Sequence, residues 1–146
     1  MNIKEKTGVS GRFRLRVYRN GRLVETDDGG NLIVDNARTQ LAHLAAGVSA
    51  GRHVTAIAFG TSGNQPQLSD TEIISPFTKE IDSVEYPSAT QVQFNWTVAE
   101  NEANGKAIME FGLLCEDGTL FARYVRQTPL NKESDFSLEG DWTIEF

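Results

Sequence analysis

The side chains best suited by type to do chemistry are Glu110 and Arg123, which flank an Asp117-Gly118 turn and therefore fall on facing strands. With a two-residue turn that pairs Glu116 with Thr119, they occupy diagonal positions within side-chain reach, among Leu114, Phe121 and Val125. A carboxyl beside a guanidinium in apolar surroundings has the make-up of a general acid or of a structural ion pair. Catalysis needs a second reacting group and a cleft, and neither is visible in the sequence. The pair therefore reads as a structural ion pair that holds a loop or subunit contact and gives specificity more than stability.

The other chemical residue types fail on spacing or on partners. Ser62 sits in Gly60-Thr61-Ser62-Gly63-Asn64, but a nucleophile elbow needs glycine two residues after the serine, where this chain has asparagine. The same stretch lacks the lysine and the spacing of a phosphate-binding loop. His43 and His53 are the only two histidines; without an HxH or HxxxH spacing or a cysteine cluster they make no zinc site. Asp27-Asp28-Gly29-Gly30-Asn31 lacks the alternating ligands and distant glutamate of a calcium loop, and reads as a turn-rich break. The single cysteine, Cys115, lies near Leu113, Leu114 and Leu120 and reads as a buried thiol acting as a small hydrophobe. Asn95-Trp96-Thr97 matches the glycosylation sequon but falls inside a predicted strand, with no secretory signal in the sequence. No catalytic, cofactor-binding or metal-binding residue is assigned, and the chain is not expected to be an enzyme.

Charge and hydropathy narrow the partners. A net charge of −6, from 20 acidic and 14 basic residues, argues against a nucleic-acid surface, which needs a basic patch. No apolar run approaches the roughly 18 residues of a membrane span. A chain of 146 residues is the size of one domain, with residues 1–11 as a flexible arm.

The elements that must position these residues are mainly strands. Arg12-Phe13-Arg14-Leu15-Arg16-Val17-Tyr18 alternates with period two, Asn20-Gly21 is a type I′ turn signal, and residues 22–26 return, giving an N-terminal hairpin over 12–26. With Arg19 across from Arg22, Arg16 faces Glu25 and Arg14 faces Asp27. The stripe of Arg12, Arg14 and Arg16 is then a largely self-neutralised face that also offers a docking surface. Asp35 reads as the N-cap of one α-helix, about residues 36–46, with Ala37, Leu41, Leu44 and Ala45 on the buried face, Asn36, Gln40 and His43 on the polar face, and Gly47 at the end. Residues 53–59 read as a buried strand. Asp70 reads as the cap of a short helical turn over 71–73, stopped by Pro76.

Strands follow over 77–86, 91–98, 107–114 and 119–125. In the last pair Met109, Phe111, Leu113, Cys115, Leu120, Ala122 and Tyr124 share the core face. The alternating segment Trp142-Thr143-Ile144-Glu145-Phe146 predicts a closing strand that ends on a buried aromatic. The expected class is an antiparallel β-sandwich-like domain with one helix.

The run Asn31-Leu32-Ile33-Val34-Asp35, then Ile57-Ala58-Phe59-Gly60-Thr61-Ser62-Gly63 with Ser69-Asp70-Thr71, then Glu110-Phe111-Gly112-Leu113 with Asp117 to Arg123, and Lys132 before the closing strand resembles small tail-fibre and tail-collar type proteins of bacteriophages and prophages. The resemblance covers roughly residues 31–146. It implies a structural role at the tail tip or baseplate, or in joining a fibre to it, as a homo-oligomeric ring or trimer bound to other tail proteins. It brings no catalytic residue. The implied location is the virion, with the host cytoplasm before assembly. The N-terminal hairpin departs from the family's shorter members. A carbohydrate-binding sandwich is the competing reading, because Trp96 and Trp142 could present rings to a sugar; both fall on the apolar phase of their strands, which favours core packing.

Overall fold

A computed structural model describes residues 8–146. The chain runs β1 (Ser10–Arg19), β2 (Arg22–Ile33), α1 (Asp35–Ala45), β3 (Val54–Gly60), β4 (Phe77–Glu80), β5 (Ser83–Glu85), β6 (Gln91–Val98), β7 (Ala107–Cys115), β8 (Leu120–Asn131) and β9 (Phe136–Glu145). The nine strands form one curled antiparallel sheet in the order β4-β3-β7-β8-β2-β1-β9-β6-β5. The mainly-β, sandwich-like class with one helix and an N-terminal hairpin is therefore observed.

The curl follows from two crossings between layers. One layer is β2-β1-β9-β6-β5, the other β4-β3-β7-β8. They meet where β2 pairs with β8 at only Leu32–Arg123 and Ile33–Ala122. They meet again where Ile81 and Asp82 join β4 to β5, with the Ile81 N–H donating to the Thr55 carbonyl and the Asp82 N–H to the Asn95 carbonyl. The single strand expected over 77–86 is thus two short strands that serve the two ends of the sheet.

The core fills the space between the layers. Phe13 is fully buried at its centre, with ring centroids 4.3 Å from Tyr124, 4.6 Å from Phe111, 5.1 Å from Trp142 and 5.9 Å from Trp96. Removing such a ring costs about 3–5 kcal/mol. The alternation of β1 makes this possible: Phe13, Leu15 and Val17 point inward and the arginines outward.

Several local expectations change. Asp27 to Asn31 is not a break: β2 runs straight through it, pairing with β1 from Arg22–Arg19 to Asn31–Gly11. A bulge at Val24 shifts the register by one, so Arg16 faces Thr26 and Arg14 faces Asp28, not Glu25 and Asp27. The predicted flexible arm over 1–11 lies outside the described residues up to Thr7, and its last two residues, Ser10 and Gly11, belong to β1.

Val34, not Asp35, precedes the helix, and Asp35 sits in its first turn, where a carboxylate suits the helix dipole. Gln40 is buried while Ala45 is exposed, the reverse of the expected faces. The helical turn at 71–73 does not form; the Asp70 carboxylate instead accepts from the Gln67 N–H. Phe146 is 51% exposed, not buried.

The β7–β8 register matches the expected one from Glu110–Val125 to Leu113–Ala122 and then slips. The turn holds three residues, closed by the Cys115 N–H on the Thr119 carbonyl, with Gly118 at φ +88°. The slip exchanges the expected places of Leu120 and Phe121: Phe121 joins the main core, and Leu120 packs on the outer side with Val34, Ala58 and Ile73. A second slip near Met109 leaves it half-buried and buries Ile108 instead.

Candidate functional site

Glu110 and Arg123 lie on the outer face of the β7–β8 pair, under the segment Thr61–Ser75, which has no helix or strand of its own. The segment can lie flat on the sheet because β3 and β7 present glycines beneath it. A Cβ at Gly60 would overlap Ile73 and Glu110, and one at Gly112 would overlap Ile73 and Leu120. Ile73 fills this notch and is buried.

The charged pair then ties the segment down at three places. One Glu110 oxygen accepts from the Ser62 N–H at 2.6 Å and from the Ile74 N–H at 3.3 Å, near the two ends of the segment; the other accepts from Arg123 Nε at 3.1 Å. Arg123 donates from one terminal nitrogen to Asp70 at 3.0 Å and from the other to the Ser62 carbonyl at 3.3 Å. Both side chains are buried, Glu110 fully and Arg123 to 3% exposure. All the charge is answered within the chain, so the pair is a clasp on a loop. The cleft of about 230 Å³ here is lined by Glu110 and Arg123 themselves with Ser62, Asn64, Asp70 and Glu72 among others. Both Glu110 oxygens and all three guanidinium nitrogens take part in the clasp, which accounts for the pair as a structural tie.

The arginine stripe is neutralised, but by other partners than expected. Arg12 bonds Asp28 through two nitrogens, at 2.9 and 2.6 Å. Arg14 reaches Asp141 at 2.8 Å and Arg16 reaches Glu139 at 2.9 Å, both on β9. Tyr18 adds a 2.7 Å bond to Glu139, and these two donors hold the Glu139 carboxyl below its ordinary pKa. β1 lies beside β9 in unbroken register, which is why its outer arginines meet the acids of β9. That pairing joins strands far apart in the chain, and hairpin logic alone does not reach it.

A second charged cluster was not anticipated. At the corner where β2 leaves β8, Arg126 donates to Glu25 at 2.7 Å and to Asp27 at 3.1 Å, and the Tyr124 hydroxyl donates to Asp27 at 2.6 Å. Burial and the neighbouring Asp27 push the Tyr124 phenol up. The sequence signal was present: in a β2 that continues through Asp27, Glu25 and Asp27 share the phase of the core, where they can answer the buried Arg126. Lys132, quoted above only as part of a pattern, is also buried. Its ammonium donates to the Glu100 and Glu133 carbonyls and to the Asn104 side chain, closing the turn before β7.

Trp96 and Trp142, the rings a sugar would need, are 1% and 0% exposed. Among the described residues no group of three or more His, Cys, Asp or Glu is arranged to hold a metal ion, and no helix is long and apolar enough to cross a membrane. No protein-family model matches the chain, and no similar curated protein or solved structure was found.

Proposed function

We propose that the protein is a structural component of a bacteriophage or prophage-derived tail, at the tail tip or baseplate or joining a fibre to it, and that it works through contacts with other tail proteins and with copies of itself. The tail assignment rests on the sequence pattern set out above. The contact role is supported by one structural observation: the charged clusters are closed within the chain, while large apolar side chains stand exposed at two corners of the β2-β1-β9-β6-β5 layer. Leu23 and Val24 are 53% and 56% exposed, and Tyr86 is 77% exposed. Such residues in groups suit protein contact better than solvent.

The buried tryptophans give the carbohydrate-binding alternative no specific support. Mass spectrometry of purified particles, with size and symmetry measured on the isolated protein, tests the proposal. Its presence in tails as a defined oligomer is the expected result. Absence from particles would overturn the tail assignment, and a persistent monomer the contacts between copies.

A further inference from the structure

Two exposed apolar groups sit at diagonal corners of one layer. In the order β2-β1-β9-β6-β5, Leu23 and Val24 lie on the outer strand β2 just past the Asn20-Gly21 turn, where β1 ends at Arg19. Val84 (45% exposed) and Tyr86 lie on the opposite outer strand β5 and its exit, and Phe146 follows β9 at the end where Glu145 pairs with Ser10 of β1. Extending the β5–β6 register by one residue sets Tyr86 across from Val92, which pairs with Ile144, so Tyr86 and Phe146 flank the same end of the layer. The two groups are separated along the strands by the length of β1, about 30 Å, and across them by four strand spacings, about 19 Å.

Their charges are opposite. The hairpin corner carries Arg19, paired with Asp135 and stacked over Phe136, and Arg22, which is exposed and has no ion pair among the described residues. The far corner carries Glu85 and Glu145, whose side-chain hydrogen bonds among the described residues come from the neutral Gln93 and Thr90. Arg12 and Arg14 share the far corner's cleft with Glu145 but are paired with Asp28 and Asp141, so among the described residues Arg22 is left unpaired at one corner and Glu85 and Glu145 at the other.

We infer that these corners are the two halves of one heterologous interface between copies of this chain: the Leu23–Val24 hairpin tip of one copy docks against Val84, Tyr86 and Phe146 of the next, with Arg22 facing Glu85 or Glu145. The inference rests on the contact reading above and adds to it the surfaces through which copies of the chain meet. A contact between different patches repeats from copy to copy, so it closes into a ring where the rotation allows and otherwise grows into a filament. Desolvated apolar anchors supply the affinity, and the flanking charges set the orientation and partner choice.

The test uses the full chain and two variants, Val24→Asp at the tip and Tyr86→Asp at the far corner, in sedimentation velocity and light scattering over a range of concentrations. Both positions are exposed, and circular dichroism checks that each variant is folded; Leu23→Ser and Val84→Asp replace any variant that is not. The unaltered chain is expected to form a closed oligomer or a filament. Each variant should associate at least about tenfold more weakly, a loss typical of an interface anchor. Mixing the two variants should yield a 1:1 dimer, because each retains the surface the other lacks. Arg22→Glu should weaken assembly and Glu85→Arg should restore it.

A monomeric unaltered chain, an oligomer indifferent to both variants, or a mixture that forms no dimer overturns the interface. An oligomer indifferent to the variants leaves the tail proposal standing. A ring formed as described by a protein absent from tails retires that proposal and keeps the interface.

Discussion

Arg123 answers two carboxylates and a carbonyl while almost wholly out of water, so its replacement leaves charge without a partner. Arg123→Met should cost about 3–5 kcal/mol, the range for breaking a buried pair, because Glu110 and Asp70 stay behind. The double change Arg123→Met with Glu110→Leu should recover part of that loss, and urea unfolding of the set measures it. Recovery will be incomplete, since Glu110 also holds the Ser62 and Ile74 amides. Cys115 makes a different prediction. Burial pushes its thiol up to about 11, so at pH 8 the folded protein should resist a thiol-selective alkylating agent that modifies the unfolded chain within minutes. Rapid labelling without unfolding would contradict the buried placement. At this scale the sequence was informative about pairs joined by one turn: Glu110 with Arg123 follows from the hairpin register. Asp70 as a third member does not, because it arrives on a segment without periodicity.

Strand identity was readable wherever one face alternates, as in β1 and β6, and least readable where a strand is buried on both faces or bulged. β7 and β8 are covered inside by the other layer and outside by the 61–75 segment and α1, so apolar residues fill both phases and face assignment rests on register alone. One slipped residue then exchanged Leu120 and Phe121. β2 was cut short because Asp and Gly normally end strands; here the Tyr124 ring packs closely against Gly29, within 3.1 Å of where a Cβ would stand.

Glycine placement supplies the test at the level of elements. A Cβ at Gly140 would collide with the Arg14 carbonyl and the Trp96 ring, so Gly140→Ala should destabilise the fold by about 3 kcal/mol or more, as overpacking does at its upper range. Gly21→Ala, at φ +78° in an open turn, should cost only about 1 kcal/mol. Thermal melts of the two variants separate steric collision from backbone strain.

The molecule as a whole depends on its N-terminal hairpin more than the sequence suggests. The resemblance begins near residue 31 and treats the hairpin as an addition, yet β1 lies between β2 and β9 and delivers Phe13 to the centre of the core. Deleting residues 1–26 should therefore abolish cooperative folding, seen as loss of near-ultraviolet circular dichroism and of dispersed amide resonances. A stable, folded fragment would mean that the remaining strands close without β1.

The pairing of β1 with β9 also governs timing. Ser10 meets Glu145 and Arg19 meets Phe136, so the first strand made waits for the last. On the ribosome, this edge of β1 stays without its partner until residues 136–145 have emerged. Contacts so distant in sequence slow folding, and the interval exposes a strand edge capable of pairing with another nascent copy. Production of the protein should accordingly be sensitive to synthesis rate and to chaperones that shield extended apolar segments, more than its modest size would suggest.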